Sequence, residues 1–166
     1  MTTNKTHPYK ILFLCTGNSG RSILAEFLLR QSAGDKFEVY SAGANPTGKV
    51  NPIILWVLDE VFNIEAASAR SKSWTEFQDF TFDFVITLCD RARESCPVWR
   101  GQPIIAHWGF EDPANFIGDE EQKQQAVTKI AFEIKRRIDL FIALPFEKLE
   151  NIRLAYAVQE LGRNDL

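Results

Sequence analysis

Cys15 and Arg21 stand six positions apart in Cys15-Thr16-Gly17-Asn18-Ser19-Gly20-Arg21-Ser22, with two glycines between them. A cysteine attacks as its thiolate, and positive potential around the sulfur makes that form available at neutral pH. Arg21 offers a planar fork that matches two oxygens of a tetrahedral oxyanion. Gly17 and Gly20 permit a tight, partly left-handed path that turns successive N–H groups toward one point. The run reads as a cradle for a phosphate-like anion, formed by Thr16, Gly17, Asn18, Ser19, Gly20, Arg21 and Ser22. Cys15 lies at its base as an activated nucleophile. The plainer alternative is a buried structural cysteine before a glycine turn, since free cysteine is among the most buried residue types.

The flanks favour the cradle. Ile11-Leu12-Phe13-Leu14 has strand length, and Ile23 to Leu29 has a helical repeat. A strand-to-helix loop faces the unsatisfied N–H groups and the positive dipole end of the helix that follows.

Two further thiols occur in Leu88-Cys89-Asp90-Arg91-Ala92-Arg93-Glu94-Ser95-Cys96-Pro97, after the apolar run Asp83–Leu88. Cys89 and Cys96 are out of reach of each other in extended chain, but a helical turn or a looped-out segment could bring them within disulfide distance. The spacing by itself leaves open a redox pair or two unrelated half-buried thiols. Zinc is disfavoured because no further ligands at suitable spacing accompany them. In His107-Trp108-Gly109-Phe110-Glu111-Asp112-Pro113-Ala114, Asp112-Pro113 by itself reads as a turn. His107, at a strand end, reads as structural.

The elements that must position these groups alternate. Strands are expected at Tyr9–Leu14, Phe37–Ser41, Asp83–Leu88 and Ile104–His107. Helices are expected from Gly20 to about Ser32, from Pro52 (capped by Asn51) through Phe62, over Gln122–Leu144 and over Phe146–Leu161, with a short one at Trp74–Phe80. Pro145 separates the last two long helices, and Gly162 ends the chain's final one. Such alternation implies an α/β fold: a four-stranded parallel sheet with helices on both faces and a C-terminal helical extension. Ligands bind at the carboxyl ends of such strands, where Cys15, Cys89 and the loop after His107 all fall. Residues 1–8 are expected to be flexible, and 9–166 to form one catalytic domain, with 145–162 as its extra helix.

The formal net charge of −3 gives no broad basic field for nucleic acid or an anionic membrane. No apolar run has bilayer length, and Met1–Pro8 lacks a secretory apolar segment, so a cytoplasmic location is expected. There, three cysteines suggest reactive thiols rather than a permanent disulfide frame.

Cys-x5-Arg-Ser after the first strand resembles the low-molecular-weight protein tyrosine phosphatase superfamily. The wording Cys-Thr-Gly-Asn-Ser-Gly-Arg-Ser is similar to its thioredoxin-coupled arsenate reductases. The resemblance covers about residues 10–144. It implies the four-stranded parallel fold, with Asp112 as general acid. It also implies Cys89 and Cys96 as second and third catalytic cysteines, a pair that plain phosphatases of the superfamily lack. Arsenate would be reduced by a relay of Cys15, Cys89 and Cys96, with no bound cofactor and with external thioredoxin, or a glutaredoxin/glutathione system, as reductant. The alternative is a phosphomonoester or phosphotyrosine phosphatase using Cys15, Arg21 and Asp112. Some relatives hold potassium at residues matching Asn18, Glu26 and Ser41. Here Ala69-Arg70-Ser71-Lys72-Ser73 brings two basic side chains to that place, so no metal is expected, and Lys72 is a candidate substitute. Asn18 matches the residue that holds the loop's shape, and Ser22 the hydroxyl that steadies the thiolate. Where many relatives have another cysteine, this chain has Gly20, which leaves Cys89 as the resolving thiol.

Overall fold

Apolar runs such as Ile11–Cys15 and Phe84–Ile86 are too short for core helices and too continuous for half-exposed strands, so they must be covered on both faces. The computed structural model, which describes residues 7–163, puts two such runs at the centre of one parallel sheet. Its strands are β1 (Tyr9–Cys15), β2 (Phe37–Gly43), β3 (Phe84–Thr87) and β4 (Ile104–His107), in the order β2-β1-β3-β4. Cys15 pairs with Gly43 at the end of β1, and Leu14 with Thr87 of β3.

Side-chain alternation divides the core in two. Ile11 and Phe13 of β1 face a large cluster formed with α1 (Arg21–Ala33), α2 (Pro52–Glu60), α4 (Glu120–Ile142) and α5 (Asn151–Glu160). Leu12 and Leu14 face a smaller, aromatic cluster with Phe77, Phe82 and Trp99, which Cys15 joins at the end of the strand. That side is covered by α3 (Asp90–Glu94) and a 3-10 turn, Trp74–Phe77. Both faces thus carry helices, long on one and short on the other. α1 is buried on almost every side, Ile23 to Leu29 included, because it lies between the sheet and α4.

Local chemistry explains where the observed elements depart from expectation. Helix α4 starts at Glu120 because Asp119 and Gln122 form a reciprocal capping box. The short helix expected over Trp74–Phe80 is the 3-10 turn already described, capped by Ser73. The last helix starts at Asn151 and not at Phe146. Phe146 instead turns inward, with its ring 5.2–5.8 Å from those of Tyr9, Phe37, Phe84 and Phe141. Burying that ring outweighs one more turn of exposed helix. Of the segment expected to be flexible, residues 1–6 lie outside the described residues, as do 164–166.

Candidate active site

In the order β2-β1-β3-β4 the chain leaves β1 toward one edge and returns to its other side, so the carboxyl ends of β1 and β3 flank a topological switch point. A cleft of about 320 Å³ opens there. Cys15, Thr16, Gly17, Ser19, Gly20 and Arg21 line it from the β1–α1 loop, Cys89 and Arg91 from the start of α3, and Asp112 from the loop after β4. A larger hollow of about 570 Å³ lies against β4 and α5, but no cysteine, histidine, lysine or arginine lines it. Chemistry belongs to the smaller cleft.

The Cys15 sulfur is 2.8 Å from the Ser22 hydroxyl and accepts the Asn18 N–H at 3.2 Å. Both contacts can stabilise negative sulfur. Asn18 and Ser22 do not line the cleft; they are fully buried behind the sulfur. Asn18 adopts φ 47°, the left-handed region that asparagine tolerates better than most residues. Its side-chain NH2 donates to Ser22 at 2.8 Å and to Ser41 at 3.0 Å, and its side-chain oxygen accepts the Lys72 backbone N–H at 2.9 Å. Gly43 makes room for this loop, because a Cβ there would stand 2.5 Å from the Thr16 carbonyl oxygen and 3.0 Å from the Asn18 nitrogen.

Lys72 completes the support. The segment beside β2 bridges at Gly43 and Ser73, which carries the Lys72 side chain behind the loop. Its ammonium lies 2.9 Å from the Arg70 carbonyl, 3.3 Å from the Ser41 hydroxyl, 3.4 Å from the Asn18 side-chain oxygen and 3.7 Å from Glu26. Glu26 also accepts the Ser41 hydroxyl and pairs with Arg30 at 2.9 Å. Burial pulls the Lys72 pKa below the usual lysine value, against the opposing pull of Glu26. Sequence reasoning raised Lys72 only as a candidate substitute for an ion. Among the described residues no group of three or more His, Cys, Asp or Glu side chains could hold a metal.

Cys89 caps α3 with its sulfur, which accepts the Ala92 N–H at 3.4 Å and stands 3.3 Å from the Thr16 hydroxyl. Cys96 follows α3 and packs against the aromatic cluster, outside the cleft lining. Burial pushes its thiol above the ordinary value of 9.0, only partly offset by the Trp99 side chain beside it. All three cysteines are free. Arg21 donates to the Phe110 carbonyl at 2.9 Å and approaches Asp112 at 3.4 Å, so its fork now faces the β4 loop. Asp112 also accepts the Ala114 N–H at 2.9 Å. His107 bridges the Thr87 hydroxyl (2.9 Å) and Asp90 (3.2 Å), outside the cleft lining. Sequence reasoning missed Arg137, whose guanidinium lies 5.1 Å from the Phe110 ring centre. An arginine on a long polar helix gives no local signal that it will fold back onto a loop.

A model of the low molecular weight phosphotyrosine protein phosphatase family matches residues 10–150. The chain belongs to that family. Among curated relatives, an arsenate reductase of Halalkalibacterium halodurans is 37% identical over 131 residues, 79% of this chain and 93% of its own. A solved structure described as an arsenate reductase in the phosphate binding state is 27% identical, with TM-score 0.66, covering 81% of this chain and 97% of that one. A Corynebacterium glutamicum thioredoxin-dependent arsenate reductase is 28% identical with TM-score 0.59 over 82% of this chain, and this chain spans only 64% of that protein's length.

Proposed function

We propose that this protein reduces arsenate to arsenite through a three-thiol relay. The observation that carries the reading is that a second free thiol, Cys89, lines the oxyanion cleft beside Cys15, with a third, Cys96, just past the short helix that Cys89 caps. A phosphatase needs only the first. The relatives named as arsenate reductases support the same reading.

Arsenate binds at the N–H groups of residues 16–22, and Arg21 turns its fork from Phe110 and Asp112 to two arsenate oxygens. The Cys15 sulfur bonds to arsenic, and Asp112 protonates the oxygen that leaves as water. Cys89 then attacks the Cys15 sulfur. The electron pair of the sulfur–arsenic bond stays on arsenic, which departs as arsenite, and a Cys15–Cys89 disulfide remains. Cys96 attacks Cys89, and Cys15 leaves as thiolate. External thioredoxin supplies two electrons to the Cys89–Cys96 disulfide, so the protein needs no bound cofactor. A reducing cytoplasm is the compartment in which such thiols are kept ready.

The second reading is phosphomonoester hydrolysis with Cys15, Arg21 and Asp112, favoured by the family to which the chain belongs. Arsenate-dependent NADPH oxidation with thioredoxin and thioredoxin reductase separates the two. Cys89→Ser and Cys96→Ser should each lose at least about a hundredfold in turnover, because each step needs its own sulfur. Full turnover in both variants would remove the relay. Hydrolysis of p-nitrophenyl phosphate with no arsenate turnover in the wild type would leave the phosphatase.

A further inference from the structure

Helix α5 lies outside the family match, which ends at residue 150. It is nevertheless tied to the sheet at one place. Trp108, the fully buried residue after β4, donates its indole N–H to the Val158 carbonyl at 3.0 Å. Gln159 donates to the Ile105 carbonyl at 3.2 Å. Past the last turn, Gly162 lies so close to β4 that a Cβ on it would overlap the His107 carbonyl oxygen. Leu154 and Val158 are buried in the same apolar cluster as Trp108.

All these contacts converge on residues 105–108, the stem of the loop that carries Asp112. The other side of the stem is held by the sheet, through Trp108 N–H to the Thr87 carbonyl (2.8 Å) and Phe110 N–H to the Leu88 carbonyl (3.2 Å). Without α5 the stem would keep its pairing with β3, the His107–Asp90 contact and the Arg21 bond to the Phe110 carbonyl, but Trp108 would lose both its indole partner and part of its cover. A proton donor must stand within hydrogen-bond reach of the leaving oxygen, so a stem free to shift would loosen that geometry.

We propose that α5 is a clamp on this loop: Val158, Gln159 and Gly162 are positioning residues that hold residues 105–108 and thereby fix where Asp112 stands in the cleft that Cys15 also lines. None of the three touches the cleft. The proposal rests on the reading of Asp112 as proton donor.

The test uses the full chain and Gly162→Ala, whose added methyl must push the helix end off His107. Native-state hydrogen exchange should show the Phe110 amide opening about tenfold faster in the variant, while amides of β1 and β3 keep their protection. Hydrolysis of two aryl phosphates reads the acid. The variant should lose about tenfold in kcat on phenyl phosphate, a poor leaving group that needs a proton, and less than about twofold on p-nitrophenyl phosphate, with KM little changed. Unchanged Phe110 exchange, or equal losses on both esters, would overturn the clamp. Should Gly162→Ala fail to fold, the wild type still decides. Amides of α5 and Phe110 should open with one denaturant dependence, and α5 amides exchanging about a hundredfold faster than Phe110 would sink the idea. Failure of the Asp112 reading shows up separately: Asp112→Asn would then lose equally on both esters, while the exchange result stands, since it needs no turnover.

Discussion

Cys15 is held by short contacts from its own loop, whereas Cys96 is half-buried against the aromatic cluster. This difference has a kinetic signature. Burial raises the Cys96 pKa above 9.0, so its thiolate fraction keeps growing through and past that pH. In a Cys15→Ser, Cys89→Ser background, iodoacetamide should therefore alkylate Cys96 with a rate–pH midpoint above that of an exposed thiol, which is already half ionised at pH 9.0. At this scale residue type and order single out Cys15 and Arg21, whereas Asp112 is singled out only by the family resemblance; all three line the cleft. Lys72 was only half legible, because the residue sits in a polar loop and nothing local says that the loop folds under β2. Replacing it, as Lys72→Met, removes the ammonium from Asn18, Ser41 and Glu26. Turnover should fall about tenfold and unfolding stability by about 1–3 kcal/mol, since polar groups at a buried site lose their partner. Added potassium should leave wild-type turnover unchanged. A several-fold activation by potassium would count against Lys72 as the resident cation.

At the scale of elements, the cleft is built where strand ends meet helix starts, and at the end of β2 a glycine decides how closely they meet. Gly43→Ala would press a methyl onto the Thr16 carbonyl and the Asn18 nitrogen. The loop would have to move, and inorganic phosphate affinity, measured by calorimetry, should drop at least about tenfold, because a shift of that size spoils converging N–H geometry. Gly20 is different: a Cβ there meets nothing closer than 3.5 Å, so a small side chain has room at this position. The strands and most long helices could be read from periodicity. The Asp119-x-x-Gln122 box was also present in the sequence and would have corrected the start of α4. Helix α3 was beyond reach of any period, since five residues with one buried side chain, Ala92, leave no repeat. Its cap is a sulfur, which is not among the usual N-cap groups. The turn at Phe146 was missed because a helical pattern and a single inward ring look alike over six residues.

Across the whole molecule, the sheet couples the site to the stability of the fold. His107 ends β4, touches Thr87 on β3 and reaches Asp90 at the start of α3. Burial lowers its pKa below 6.5, with Arg93 acting in the same direction and Asp90 against it. A lowered histidine pKa means that the unfolded chain takes up its proton first as pH falls. Between 6.5 and the lower folded value the unfolded state holds more protons, so stability declines with acid in that window and does not change through this group above it. Denaturant midpoints at pH 7.5 and pH 5 should differ for the wild type, and the difference should shrink in His107→Gln. An unchanged difference would assign the acid loss to other groups.

Lys72 is a charge that dialysis cannot remove, since it is part of the chain. A bound metal ion would depend on its concentration in the medium, but it would not lose its charge to hydroxide. The ammonium has the opposite weakness. With its pKa drawn by burial below the usual lysine value, it is discharged at a lower pH than an exposed lysine would be. Permanence against dilution is therefore exchanged for a ceiling in pH. Above that ceiling the loop should soften from behind.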